Sequence, residues 1–337
     1  MENKSKNIIN EIFKNYSVII SILVLFIIFH CINDNFLRPR NILTVLTSAC
    51  PLIVMSLGLM TTVLVRGIDL STAQIADAVA VVSCMSMVKG CSSAEALAIG
   101  LLFGLAMGLI NAFLMAYLGV PSLIGTMGMM FIIRSFELVL TNGAQPQIIF
   151  ALPKTQTGAY LFIGQGKIGG ISFMIVIAII VIIVMYFIRE RSVLGRHMDA
   201  LASNTRAAYL SGVNTRLVFG STYVLCGVLA ALAGIMLSSR SGSAVPKDLE
   251  TYLNDIVIAV FVSTLISKKG RFNVAGTVIG AIFVCFIANF ITLEAMGNDV
   301  RFIFNGIVII AAVSLTAFKE RSGKGKRSVK KQSSAST

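Results

Sequence analysis

The sequence predicts an all-α membrane protein, a polytopic bundle of transmembrane helices, on the evidence of composition, apolar run length and placement of basic residues. Of its 337 residues, 56% are hydrophobic and 13% are charged, and the mean hydropathy is +0.87. Soluble domains carry about 25% charged residues. A soluble chain of this length would need polar residues to cover its surface, whereas lipid solvates an apolar one.

Ten apolar segments have the length of a membrane span, which is about 20 residues for a helix across the hydrocarbon core. The predicted spans are 16–32, 42–64, 70–88, 94–117, 121–141, 171–188, 214–238, 251–267, 272–293 and 300–318. They form one transmembrane domain, residues 16–318, between a cytoplasmic segment 1–15 and a basic, disordered cytoplasmic tail 319–337. Pro51 and Pro121 interrupt spans. Because broken backbone at membrane depth needs protein or a water-filled cavity around it, these interruptions favour a conduit over a passive anchor.

The basic residues fix the predicted orientation. The net charge is +13, and its cations cluster in the first 14 residues, in the loop 189–216, at 268–271 and in the tail after 318. With the N-terminus inside and ten spans, all four clusters lie on the cytoplasmic side, as the positive-inside rule requires. An even number of spans, with both termini cytoplasmic, is therefore predicted. Since every cluster flanks apolar spans, the charge indicates membrane orientation rather than nucleic-acid binding.

No constellation for catalysis or metal binding is present in the sequence. The six cysteines lack CxxC spacing and read as small buried hydrophobes, and the two histidines lie far apart. There is no metal site, no nucleophile motif and no phosphate-binding Gly-x-x-x-x-Gly-Lys-Ser/Thr loop. We therefore expect no enzyme and no cofactor on this chain. If ATP drives its activity, another polypeptide must hydrolyse it.

Two spans share a glycine pattern. The fourth carries Gly100, Gly104 and Gly108, and the ninth carries Gly276 and Gly280. Glycines four apart let helix backbones approach closely. The two spans lie five apart, so they run in opposite directions, as in an inverted repeat of spans two to five and seven to ten. Chance occurrence of the pattern is the alternative that these residues leave open.

Ionisable and amide side chains inside spans are candidates for a substrate pathway, because they are costly there. Asp69 and Ser71 stand where the third span begins, and either could simply cap that helix by accepting backbone N–H bonds. Gln74 and Asp77 lie further into the span, and Asp77 is the better pathway candidate. Asn111, in the fourth span, is assigned to the same pathway.

Two charged residues in the fifth span are expected to neutralise each other. Arg134 and Glu137 lie three residues apart on one predicted helix face. Such a pair is a structural feature of a helix surface.

The loop 189–213 is the most informative polar segment. Asn204 is a predicted N-cap, residues 205–210 form a short helical run, and Ser211 with Gly212 end it. A short helix on a cytoplasmic loop is either an ordinary connector or a docking surface for a partner.

Taken together, the motifs resemble those of ribose-type permease subunits of bacterial ABC importers, which carry monosaccharides and the autoinducer-2 signal. The similarity covers roughly residues 40–318. Three segments carry it: Gly67-Ile68-Asp69-Leu70-Ser71, the stretch from Asn111 through Pro121 and Thr126 to Gly128, and the loop from Leu194-Gly195-Arg196 to Gly212-Val213. The chain differs from the family pattern at Arg66 and Ser203, where the family has glycine, and in 262–271, where several glycines are replaced.

The resemblance implies an inner-membrane permease that pairs with a second permease chain, a cytoplasmic ATP-binding subunit and an extracytoplasmic substrate-binding protein. The residues that it implies for contact with the ATPase are Gly195, Arg196, Asn204, Ala207, Ala208 and Gly212. The competing hypotheses are an autonomous secondary transporter or channel, for which Asp77 and the Arg134–Glu137 pair are the candidate ion sites, and a membrane anchor for another complex.

Overall fold

A computed structural model describes residues 22–266, 271–297, 299–308, 310 and 314. The predicted cytoplasmic segment 1–15 and the predicted tail 319–337 lie outside these residues. Contacts divide the chain into two compact units, one formed by Met1–Val45 with Ile258–Thr337 and the other by Leu46–Val257.

Helices account for most of the described chain. They are α1 (Ile22–Ile32), α2 (Pro39–Leu64), α3 (Thr72–Val88), α4 (Ser93–Ala112), α5 (Ser122–Leu140), α6 (Lys154–Gln165), α7 (Phe173–Tyr186), α8 (Val193–Ser203), α9 (Thr205–Leu210), α10 (Thr215–Ser241), α11 (Tyr252–Ile266) and α12 (Val274–Leu293), and residues 299–308 are also helical. Two helices end in a π-helical turn, α4 at Phe113–Tyr117 and α7 at Phe187–Arg191.

Six of the described helices are long and apolar enough to cross a membrane. They are α2, α4 and α7 with the π-helical turns that extend the latter two, together with α5, α10 and α12. Shorter apolar helices are α1, α3 and α11. The prediction of a polytopic helical membrane protein is confirmed, and helix is present at each predicted span within the described residues. The helix α6 was not predicted.

Four two-residue strands within the described residues qualify the all-α prediction. β1 (Gln147–Ile148) pairs antiparallel with β4 (Ser243–Ala244), with Gln147 opposite Ala244. β2 (Lys167–Ile168) and β3 (Ile171–Ser172) form a hairpin before α7. β1, β2 and β4 lie in segments that the sequence placed between predicted spans, whereas β3 takes up the first two residues of the predicted span 171–188. They fix the ends of helices rather than form a core.

The core of the Leu46–Val257 unit is built by α3, α4 and α10, and α3 is buried along nearly its whole length. Glycines in α4 permit this packing. A Cβ on Gly104 would collide with Ala231 of α10 and come within 2.9 Å of the Gly227 carbonyl oxygen. The outward faces of α4 and α5 expose large apolar side chains such as Leu102 and Ile132, as a lipid-facing helix does.

The other unit has an aromatic core. Phe29 and Phe290 stack with ring centroids 3.8 Å apart, and Phe36 meets Phe286 edge-on. Beside them the amides of Asn41 and Asn289 exchange two hydrogen bonds, which satisfies both polar groups among apolar neighbours. The glycines predicted in span nine pack α12 onto α11, where Gly276 lies against Ser263 and Gly280 against Ala259.

Candidate functional site

The turn between α2 and α3 is held by a buried cluster that we call the polar junction: Asp69, Ser71, Asn111 and Thr126. Asp69 Oδ1 accepts hydrogen bonds from the backbone N–H of Ser71 at 3.0 Å and from its hydroxyl at 2.6 Å. The Asn111 amide, from α4, donates to Ser71 Oγ at 2.9 Å and lies 3.3 Å from Asp69 Oδ2. All four residues are fully buried. The carboxylate therefore fastens the start of α3 to α4.

The polar junction also reaches α5 and α10. The backbone N–H of Leu70 donates to Thr126 Oγ1 at 3.2 Å, and the Tyr223 hydroxyl donates to Ser122 Oγ at 2.7 Å. Gly67 faces the Tyr223 ring, where a Cβ would come within 2.6 Å of the hydroxyl oxygen. Two motifs that are separate in sequence, around Asp69 and around Asn111, thus meet at one place.

Two predicted pathway residues lie along α3 beyond the polar junction. Gln74 is buried, and its Oε1 has no hydrogen-bond partner within the described chain. Asp77 is buried too, but it lines a cavity of about 360 Å³ that we call the Asp77 cavity. Of the five predicted residues, the structure therefore brings Asp69, Ser71 and Asn111 together, whereas Asp77 lines a separate cavity and Gln74 belongs to neither place.

The end of α10 and the loop before α11 form the remaining wall of the Asp77 cavity. Its polar lining residues are Asp77, Ser238, Arg240, Ser241, Ser243, Asp248 and Tyr252. The loop approaches Asp77 with backbone N–H groups of Lys247 and Leu249. Lys247 has a φ of +72°, a left-handed conformation that costs a side-chain-bearing residue about 1–2 kcal/mol. Surrounding contacts therefore hold this loop in place.

Helix α6 positions the α10 side of that cavity. The hydroxyls of Tyr160 and Ser238 lie 2.7 Å apart, and burial raises the pKa of the Tyr160 hydroxyl, so it stays protonated and can donate. Gly164 packs directly on the backbone of Arg240, whose guanidinium donates to Ser48 Oγ at 3.1 Å. Arg240 is thus held at both its backbone and its side chain.

Arg134 and Glu137 do not form the predicted ion pair, although the charge of Arg134 still acts on Glu137. Arg134 instead forms an ion pair with Glu250, with Nε and Oε1 3.0 Å apart. Glu137 is 1% exposed, and its Oε1 has no hydrogen-bond partner in the part of the chain described. The charge of Asp77 acts on Glu137, so the two carboxyl groups are neighbours. A partner 116 residues away in sequence replaces the local one.

The loop 189–213 has the predicted local structure. α9 spans Thr205–Leu210, Asn204 Oδ1 accepts the Ala207 N–H at 3.0 Å, and Gly212 ends the helix with a φ of +84°. The sequence did not predict the preceding helix α8, which Ser192 caps. At the tip of α9 the side chains of Tyr209 and Leu210 are 67% and 77% exposed. The segment is thus a pair of short capped helices with an apolar tip.

Of the six residues implied for this segment, Gly195 and Ala208 are buried and Arg196, Asn204, Ala207 and Gly212 are exposed. Gly195 packs on the carbonyl of Arg189, where a Cβ would collide. Sequence reasoning missed Tyr209 and Leu210 as the exposed tip, and it missed Arg240 and Asp248. The run of hydroxyl residues around Arg240 at the end of an apolar helix was the available signal for the latter.

Within the described residues, no group of three or more His, Cys, Asp or Glu side chains could hold a metal ion.

Comparison with known proteins shows similarity to transport permeases along most of the chain. The family of branched-chain amino acid transport system permease components matches residues 41–313. The ribose import permease protein RbsC of Escherichia coli K12 is 29% identical over 295 residues, which cover 88% of this chain and 91% of that protein. The autoinducer 2 import system permease protein LsrC of Photorhabdus luminescens is 30% identical over 309 residues, covering 89% and 88%. The galactofuranose transporter permease protein YtfT of Escherichia coli K12 is 27% identical over 271 residues, covering 80% and 77%. No solved structure gives a significant match.

Proposed function

Because the chain belongs to the family of branched-chain amino acid transport system permease components, we propose that it is the membrane subunit of an ATP-driven importer for a monosaccharide or sugar-like solute. The chain is a multi-pass inner-membrane protein and a transport subunit rather than an enzyme. The sugar assignment rests on the relatives, whose names include ribose and galactofuranose. Hydrolysis of ATP is assigned to a separate subunit.

The observation that carries the proposal is the α8–α9 segment. It has two capped short helices, an exposed apolar tip at Tyr209 and Leu210, and exposed cations at Arg196 and Arg206. Exposed apolar side chains do not stabilise a helix that only connects two spans, whereas a docking helix buries them in a partner protein. We assign this surface to the ATP-binding subunit.

The proposed topology has ten spans with both termini in the cytoplasm. Its support is the even number of spans that puts the 189–216 cations and the tail on one side. An inverted repeat is part of the proposal, since Gly100 of α4 packs on Ser83 of α3 and Gly276 of α12 packs on Ser263 of α11. Span four thus packs on span three, and span nine on span eight, in each case with a glycine against a serine.

In this topology the Asp77 cavity belongs to the outer half of the protein, and Asp77 lies on the solute path. Asp69, Ser71 and Asn111 hold the turn from which α3 starts. Gln74 lies on α3 between the polar junction and Asp77. The further proposed partners are an extracytoplasmic binding protein that delivers the solute and a second permease chain.

Co-purification tests the proposal. A tagged chain expressed with its neighbouring genes should retain an ATP-binding subunit, and Leu210→Asp should release it because a charge replaces a docked apolar side chain. Ile171→Asp is the matched control, since Ile171 is also exposed but lies in the β2–β3 hairpin. Uptake by the chain alone in liposomes, driven by an ion gradient without ATP, would instead support the autonomous transporter.

A further inference from the structure

The Asp77 cavity has a chemically mixed lining that restricts what it can hold. Its volume of about 360 Å³ falls in the range of small-molecule sites. Hydroxyls of Ser241 and Ser243 and the guanidinium of Arg240 supply donors, and Asp77 and Asp248 supply acceptors. Leu237, Ala80, Ala244, Val245 and Leu249 form an apolar wall beside them. Such a lining suits a solute with several hydroxyl groups and a C–H face.

The charges around the cavity are unbalanced. Two acidic side chains, Asp77 and Asp248, face one guanidinium, Arg240, which already donates to Ser48. Glu250 adds its field at Asp77, although its own charge is paired with Arg134. Behind Asp77 stands Glu137, 1% exposed, with an Oε1 that has no partner among the described residues. An anionic solute would therefore meet two acidic side chains and a single guanidinium that is already engaged.

This imbalance separates anionic from uncharged solutes. A phosphorylated or acidic sugar brings a negative charge that needs a free cation. Arg240 is the only cation among the described lining residues, and two acidic side chains share the cavity with it. An uncharged polyol needs no counter-ion and can use both donors and acceptors.

We propose that the Asp77 cavity is a solute-entry site that selects against anions, with Asp77 and Asp248 as the discriminating residues, so that it takes an uncharged polyhydroxylated solute. The proposal rests on the proposed function, because it places the cavity on the outer part of an import path. It deepens that function by assigning charge selection to the permease itself, in addition to any selection by a binding protein.

Thiol labelling measures this selectivity without a known solute or an ATPase. Ser241 is exposed at the cavity, so Ser241→Cys provides a reporter in a background where Cys31, Cys91 and Cys285 are serine. Right-side-out membrane vesicles are treated with cationic, neutral and anionic methanethiosulfonate reagents. The labelling rate of each reagent is divided by the rate at which the same reagent reacts with a free thiol in solution. The cationic reagent should react faster than the anionic one by about tenfold. This is the order of magnitude expected for the effect of one unit charge close to the reacting thiol.

Removal of the carboxylates identifies the cause. Asp77→Asn combined with Asp248→Asn should bring the ratio of cationic to anionic rates close to one. Asp34→Asn, on an exposed residue outside the cavity, should leave it unchanged. Equal rates in the parent, an unchanged ratio in the double variant, or labelling only from the opposite side of the membrane would each overturn the proposal. Reporter labelling by the neutral reagent verifies that each variant is folded and inserted.

A protection experiment tests the solute class. Millimolar D-ribose should slow labelling of Ser241→Cys, and ribose 5-phosphate at the same concentration should not. Protection by the phosphate, or by neither compound, would contradict the assignment of an uncharged polyol to this cavity. If the chain shows the expected labelling pattern but no ATP-driven uptake when expressed with its neighbouring genes, the proposed function is contradicted and the charge selectivity of the cavity is not.

Discussion

The guanidinium of Arg189 and the carboxylate of Asp199 form a two-point ion pair, with nitrogen–oxygen distances of 2.8 and 3.2 Å. Arg189 lies in the π-helical turn after α7 and is 5% exposed, while Asp199 lies in α8. A fork-to-carboxylate contact fixes direction as well as distance. The pair therefore joins the proposed docking segment rigidly to a membrane helix.

From that ion pair a series of contacts leads to the Asp77 cavity. α7 connects through the β2–β3 hairpin to α6, and the rings of Phe162 and Phe173 lie 5.1 Å apart across this connection. α6 in turn holds Ser238 and Arg240 at the cavity. A displacement of α8 thus has a continuous route to the residues that line the cavity, which is a spatial path rather than a measured coupling.

We expect Asp199→Asn to destabilise the protein by about 1–3 kcal/mol, because it leaves the buried Arg189 with one neutral acceptor. Thermal unfolding of the detergent-solubilised chain measures the loss. Arg191→Gln is the control, since Arg191 is exposed two residues from Arg189. If Asp199→Glu is as unstable as Asp199→Asn, the charge of the pair is not the cause.

Arg66→Gly should stabilise the chain by about 0.5–1 kcal/mol, since Arg66 has a φ of +65°, where glycine carries no Cβ penalty. Ser203→Gly, at the other single-residue difference, lies at the end of α8 and should have the opposite sign. Equal effects of the two changes in thermal unfolding would refute the conformational explanation.

Gly104→Val should cost about 1–3 kcal/mol or prevent assembly of α4 on α10, because the Gly227 carbonyl and Ala231 leave no room for a side chain. Gly128→Val in α5 is the matched control, since a Cβ at that position would have no neighbouring atom within 4 Å. Protease resistance and melting temperature report the difference. Similar losses in both variants would mean that helix propensity, not packing, decides.

Asp69→Ala should destabilise the polar junction by about 2–4 kcal/mol, because it leaves the Ser71 N–H and the Ser71 hydroxyl without their acceptor and removes one of the two acceptors of the Asn111 amide. Asp69→Asn keeps one acceptor oxygen and should lose less. Unfolding of the two variants is compared in one detergent. A loss in Asp69→Asn equal to that in Asp69→Ala would assign the effect to charge instead.

The features that the sequence predicted well are those with local causes. Asn204 and Gly212 bound α9 through a side-chain cap and a left-handed residue, and both effects operate within four residues. Apolar run length likewise located the membrane helices. By contrast, Arg134 forms its ion pair with Glu250 rather than with Glu137. The Asp77 cavity is likewise lined by residues up to 175 positions apart in sequence. Tertiary packing decides such partners, and periodicity along one helix carries no information about it.

Helix α3 has a consequence for how the protein is made. It has 17 residues, and Gln74, Asp77, Ser83 and Ser86 are among its buried side chains. A charged residue at the centre of a lone helix costs about 2.5–3.5 kcal/mol on entering the bilayer from the translocon. Insertion of α3 on its own is therefore unfavourable. It depends on α4 and α10, which are synthesised after α3. Biogenesis of this chain must keep α3 at the insertion machinery until later segments arrive.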